Sequence, residues 1–298
     1  MPRLNAIGCG NVGRTLCRLW HRNGIFEIGD VLSRSADTAS QACSFIGAGR
    51  PVSSATALDS ADVYMIAAPD DAIEDCARQL ALSAPIDDHT VVFHCSGSRT
   101  SHCLASVQAS GARTASIHPL KSFADPQHSA DTFAGTHCAL EGDPDACRIL
   151  ENALRGCGAL CFRIDSRHKM IYHAANVFAS NYLVVLLDAA LQCYEKAGVP
   201  APQAIEIMQP LIDGTLQNVS RLGTAQALTG PVVRGDAQLV AEQLGELYAW
   251  DGDMGALYAH LGQHAVGLAR RRPNGQSPAL DRVSKRLRER SSFRSNET

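Results

Sequence analysis

Ile7-Gly8-Cys9-Gly10-Asn11-Val12-Gly13 is the stretch whose reading decides the fold. It spells Gly-x-Gly-x-x-Gly between a short apolar run, residues 3–7, and an amphipathic segment carrying Val12, Leu16, Leu19 and Trp20. A buried strand that turns through such glycines into a helix marks a dinucleotide-binding βαβ unit. Each glycine answers a steric need. Gly8 permits the tight turn and Gly10 lets backbone approach a pyrophosphate. Gly13 lets the helix lie close to the strand, with its first amides aimed at the anion. Gly8, Gly10, Asn11, Val12 and Gly13 are therefore expected to hold a cofactor.

Outward from that turn, strand and helix patterns alternate. Residues 27–32 read as a strand and 36–46 as a helix. An apolar run at 63–68 ends in Pro69-Asp70-Asp71, ahead of a helix over 72–82 that Asp70 or Asp71 is expected to cap. Residues 90–94 run into Cys95-Ser96-Gly97-Ser98, and 113–117 run into His118-Pro119. Two more strands, 137–141 and 159–164, flank a helix over 145–155. Buried runs alternating with helices predict an α/β domain with a doubly wound, mostly parallel sheet, a Rossmann domain over 1–164. Beyond it every long segment is helical, with breaks at Gly198-Val199-Pro200, Gly230-Pro231 and Trp250-Asp251-Gly252. An all-α domain is expected over 165–272, followed by a basic, flexible tail over 273–298 with Arg286, Arg288, Arg290 and Arg294.

Composition narrows the function. An apolar fraction of 45% with 19% charged residues is that of a soluble globular protein long enough for two domains. A net charge of −3 argues against nucleic acid or a membrane surface as the partner. The first residues lack a basic stretch followed by an apolar one, so the expected compartment is the cytoplasm. Eleven scattered cysteines without a Cys-x-x-Cys pair read as reduced, mostly buried thiols rather than disulfides or metal ligands. Residues 170–187 carry no formal charge, but His173, Asn176, Ser180 and Asn181 disfavour a bilayer span. The stretch is expected to be the buried central helix of the all-α domain.

The second strand ends Ser33-Arg34-Ser35, with no carboxylate at its tip. An arginine between two hydroxyls suits a 2′-phosphate, which predicts NADP(H) as cofactor. Ala68, Pro69, Ser96 and Gly97 stand at strand ends where ligands of doubly wound sheets lie, and His118 is a candidate substrate contact there. Further along, Lys169, His173, Asn176 and Ser180 recur every three or four residues on one helix face that is otherwise apolar or small. A polar stripe of this kind faces a wet cleft or other polar groups, and a lysine in a cleft is a natural proton donor to an alkoxide. Arg234, within Thr229-Gly230-Pro231-Val232-Val233-Arg234-Gly235-Asp236, is a candidate clamp for a substrate carboxylate, with Asp236 capping the next helix.

Taken together, these motifs resemble a bacterial family of Rossmann-like proteins with a helical C-terminal domain of unassigned function. The resemblance rests on Gly8 to Gly13, Ala68-Pro69-Asp70-Asp71, His94-Cys95-Ser96-Gly97, Ser116-Ile117-His118-Pro119-Leu120 and Lys169-Met170-Ile171-Tyr172-His173-Ala174-Ala175-Asn176. It continues through Ala179-Ser180-Asn181-Tyr182 and Leu228-Thr229-Gly230-Pro231 to Asp236, and covers roughly residues 3–270. That family is similar to the 6-phosphogluconate dehydrogenase superfamily, including ketopantoate reductases and pyrroline-carboxylate reductases. The better-known ketopantoate reductases place an asparagine four residues after a helix lysine, where this chain has His173 after Lys169. Asn176, one turn on, or His173 itself would then take that role.

The resulting expectation is an NADP-dependent oxidoreductase acting on a CH-OH group, which reduces a small 2-keto acid, ketopantoate first. Lys169, His173 and Asn176 are the expected catalytic residues, and His118, Ser180, Asn181 and Arg234 the expected substrate contacts. As in related folds, the helical domain is expected to form a homodimer. A cyclic-imine reductase and a non-catalytic NADPH sensor are the alternatives.

Overall fold

The computed structural model describes residues 1–273 and 275–289 and divides into two compact units, Met1–Tyr182 and Leu183–Thr298. The first contains eight strands: β1 Arg3–Ile7, β2 Glu27–Leu32, β3 Arg50–Val52, β4 Val63–Ile66, β5 Val91–His94, β6 Arg113–Pro119, β7 His137–Gly142 and β8 Leu160–Arg163. They form one sheet in the order β3-β2-β1-β4-β5-β6-β7-β8, parallel except where β6 meets β7. The registers Ile7↔Ile66, Ile66↔His94 and His94↔Ser116 align the strand ends in one row. The loops that follow β1, β4 and β5 therefore open at the same level, where the strand order reverses and ligands of this fold bind.

Period-two patterning builds the two faces of the sheet. Val63 and Met65 join Val91 and Phe93 on one side, under α1 (Asn11–Arg22), α2 (Ala36–Ile46) and later α6 (Pro144–Arg155). Tyr64, Ile66 and Val92 turn to the other side, against α3 (Ile73–Ser83) and α4 (Ala105–Ala109). On the first of these sides Trp20 is fully buried and meets Phe26 and Phe93 edge-on. A short α5 (Pro126–Asp131) and α7 (Lys169–Ala179) complete the unit, apart from the start of α8 (Asn181–Lys196).

The first unit thus runs to Tyr182 rather than stopping near 164, because the first turn of α7 is fastened into the sheet by Lys169. The expected burial of 170–187 is corrected too. Lys169 is the one buried residue of α7, and α8 has none. Met170, Ile171, Phe178, Tyr182, Val184 and Val185 are exposed. Ser166–Lys196 is long and apolar enough to cross a membrane, and none of its apolar window is buried within this chain.

The second unit continues through α9 (Ala201–Leu222), α10 (Thr224–Ala227), α11 (Pro231–Arg234), α12 (Ala237–Trp250), α13 (Gly252–Ala269) and α14 (Pro278–Glu289). Its core joins Val240 and Leu244 of α12, Ala259 and Val266 of α13, and Leu280, Val283 and Leu287 of α14. The stretch expected to be a flexible tail therefore contains a packed helix, whose apolar side recurs at Leu280, Val283 and Leu287. Arg290 and Arg294 lie outside the described residues. All eleven cysteines are free, and no metal-binding group occurs among the described residues.

Candidate active site

Gly8 adopts φ +77° and donates its N–H to Leu32 at 2.8 Å. A Cβ there would lie 2.9 Å from the Ala67 and Ala68 backbone, and one on Gly13 would lie 2.9 Å from the Gly8 carbonyl. Around Gly10, by contrast, a Cβ would meet nothing within 4 Å. Gly10 is the N-cap of α1, which has no side-chain cap and no acidic residue in its first turn. The start of α1 thus combines free space above Gly10 with the lack of a capping side chain, the arrangement that receives a pyrophosphate. Asn11 instead turns its side-chain amide to the Phe123 and Ala124 carbonyls, at 2.7 and 3.2 Å, tying the turn to the loop after β6.

The tip of β2 fits a nicotinamide cofactor as well. Ser33 Oγ is buried without a hydrogen-bond partner, and Arg34 is exposed beside it. Ser35 caps α2 by accepting from the Thr38 N–H. Asp30, the nearest carboxylate, is fully buried and engaged by Arg50 Nε at 2.7 Å and by the Asp59 N–H at 2.6 Å.

Next to the glycine turn, Val12, Ala67, Ala68, Asp70, Ser96, Gly97, His118, Lys121 and His173 line a cleft of about 310 Å³. Pro69 sets the turn that leads to Asp70, its carbonyl accepting from the Ala72 N–H. Asp70 does not cap α3, whose N-cap is Ala72, but accepts from Ser98 Oγ at 2.5 Å. Burial alone would raise its pKa; hydrogen bonds from Ser98 and Ser96 and the nearby His94 and Arg99 carry it below the ordinary value instead. The serine loop is shaped from within. Ser96 Oγ accepts from the N–H groups of Ser98 and Arg99, and buried His94 spans the loop between the Ser96 N–H and the Thr100 carbonyl.

Two imidazoles close one side of this cleft. An ideal Cβ on Gly97 would come within 2.6 Å of His118 Nε2 and 2.8 Å of His173 Cδ2, so both rings rest on that glycine. Their centroids are 6.1 Å apart. Tyr172 Oη lies 2.9 Å from His118 Nδ1, leaving Nε2 as the ring nitrogen over Gly97. Burial, then His173 and Lys169, push His118 down to about 4, so it is neutral at physiological pH. A neutral imidazole of this kind can accept a proton and return it.

Lys169 is not part of the cleft lining. Its ammonium, 1% exposed, donates to Glu141 Oε1 at 3.0 Å and to Ser116 Oγ. Burial lowers its pKa against the opposing pull of Glu141. Asn176 also turns away, donating within its helix to the Tyr172 carbonyl at 3.1 Å. Ser180 and Asn181 are exposed at the junction of α7 and α8. Arg234, in the second unit, pairs with Asp236 at 2.8 Å, which leaves Asp236 without a capping hydrogen bond to α12. Of the expected polar stripe, His173 alone lines the cleft.

Comparison with known proteins agrees with the fold. Residues 3–94 match the family described as NADP oxidoreductase, coenzyme F420-dependent, and residues 136–265 match a domain of unknown function, DUF2520. Protein TM1727 of Thermotoga maritima is 29% identical, with a TM-score of 0.70 over 90% of this chain and 98% of its own. A Bacteroides fragilis protein provisionally assigned as an NADP oxidoreductase is 22% identical, at a TM-score of 0.70 over 89% and 97%. A pyrroline-5-carboxylate reductase of Coxiella burnetii shares the fold at 16% identity, with a TM-score of 0.57 over 89% and 98%. None of the curated proteins matches the chain.

Proposed function

We propose that this chain is an NADPH-dependent reductase of a small 2-keto acid, with ketopantoate the first compound to test and His118 the group that exchanges the proton. The observation that carries this reading is the imidazole of His118, held by Tyr172 over Gly97 in the cleft beside the glycine turn. Orphaned Ser33 Oγ and exposed Arg34 would hold a 2′-phosphate, and Asp30, bound to Arg50, does not oppose it. The open N-terminus of α1 would take the pyrophosphate. NADPH supplies the hydride when bound.

The chain's own residues handle the proton. In the oxidation of a hydroxy acid, neutral His118 Nε2 accepts the hydroxyl proton while Nδ1 donates to Tyr172. In reduction the same nitrogen returns it to the carbonyl oxygen. A substrate carboxylate beside His118 favours its protonated form, and Lys121 at the cleft wall adds a cation for that carboxylate. Because His118 titrates near 4 in the free protein, alcohol oxidation should rise through that pH to a plateau, while kcat/KM for reduction should decline as pH climbs above it.

Sequestration of Lys169 also favours a second reading, reduction of a cyclic imine, whose protonated nitrogen needs no donor from the protein. NADPH oxidation followed by absorbance against a panel of 2-keto acids and cyclic imines separates the two. Turnover confined to keto acids supports the first reading, and turnover confined to imines the second. NADPH binding without turnover on any compound would leave a sensor and refute both. The exposed apolar residues Met170, Ile171 and Phe178 of α7 support a homodimer, which sedimentation would measure.

A further inference from the structure

We infer that Lys169 is a positioning residue: its buried pair with Glu141 fixes the two imidazoles over Gly97, and it does not itself donate the reaction's proton. This inference rests on the reductase reading for its kinetics but on the protein alone for its structure.

Ser116 and Glu141 stand opposite one another across the antiparallel β6–β7 pair. One ammonium bridges both. Glu141 is 4% exposed and also accepts from the Ser101 N–H and Ser101 Oγ, each at 2.9 Å, so its carboxylate is fully engaged. Ser116 Oγ in turn donates to the Ser96 carbonyl at 3.3 Å.

Three members of this network stand beside the cleft. Ser116 precedes His118 by two positions on the same face of β6. Lys169 precedes His173 by one helical turn. Ser96 precedes Gly97, on which both rings rest. A lysine caged in this way cannot reach a substrate's carbonyl oxygen without abandoning a buried carboxylate, which is strongly unfavourable. The cage also acts electrostatically. His118 is faced by Lys169, His173 and Tyr172 from α7, by Asp70 from the loop after β4, and by Lys121 after β6. The Lys169 charge helps keep both His118 and His94 neutral.

The test uses the full chain with Lys169→Met, which deletes the charge and keeps the stem, and the double variant Lys169→Met/Glu141→Gln. Removing one partner leaves a buried charge unpaired, whereas removing both leaves a neutral pair that still serves Ser101. The single variant should lose thermal stability and about tenfold in kcat, with NADPH affinity unchanged within about threefold. The double variant should regain stability and most of the lost kcat. A lysine that supplied the proton would leave both variants about 10²- to 10⁴-fold slower, with no rescue. The second readout is the ligand-free NMR titration of His118. Its midpoint should move up by about half a unit or more in both variants, as expected when a nearby cation is deleted. An unmoved midpoint in the folded double variant, or a double variant as slow as the single, overturns the inference. Absence of turnover in the wild type would refute the reductase reading alone, since the stability rescue and the titration still test the Lys169–Glu141 pair in the ligand-free protein.

Discussion

The glycine turn and the imidazole pair line the same cleft, yet they hold their shapes by different means. At the turn, backbone does the work: Gly8 at φ +77° touches Ala67, Gly13 touches Gly8, and space remains over Gly10. Around the imidazoles, side chains do it, through Tyr172 on His118, His94 across the serine loop, and Lys169 with Glu141 underneath. A backbone device tolerates almost any neighbour but no added Cβ. A side-chain device depends on partners far apart in sequence, and 28 residues separate Glu141 from Lys169.

The comparison yields substitutions that should fail in different ways. His118→Gln should lower kcat by about 10²- to 10⁴-fold while leaving NADPH affinity intact, because it removes the proton-exchanging nitrogen alone. Gly8→Ala should do the reverse. Strain at positive φ and contact with Ala67 should weaken NADPH binding by about 30- to 100-fold in a fluorescence titration. Arg34→Ala should raise the Michaelis constant for NADPH by about tenfold and barely alter that for NADH. Equal effects on the two cofactors would refute a 2′-phosphate site.

A further expected effect concerns acid. Burial above all holds His94 near 4 in the folded chain, below the ordinary histidine value. Between those values the unfolded chain binds a proton that the folded chain does not, so stability falls as pH is lowered through this window and levels off below about 4. The loss should be on the order of 1–3 kcal/mol, seen as a lower urea midpoint at the acid end.

The same contrast explains what was legible in the chain. Gly8, Gly10 and Gly13 announce themselves because their requirement is local. The alternation at 63–66 and 91–93 announces the two faces of the sheet for the same reason. The polar stripe from Lys169 was visible as spacing, but spacing does not say which way a side chain is claimed. Lys169 went inward to Glu141, Asn176 to its own helix, and His173 to the cleft. A signal for the pair did exist, in Glu141 as a lone carboxylate closing the apolar run Cys138-Ala139-Leu140 and in a lysine opening an apolar helix. Each needed a partner of opposite charge. The second surprise, α14, was hidden by its arginines, which mask the apolar row at Leu280, Val283 and Leu287.

The most direct test of the central claim is the kcat of wild type and His118→Gln, measured side by side with NADPH and the fastest substrate of the keto-acid panel. NADPH affinity is to be determined on the same two proteins. The account predicts a collapse of kcat at unchanged affinity. Undiminished turnover in His118→Gln would contradict it and return the proton to another group.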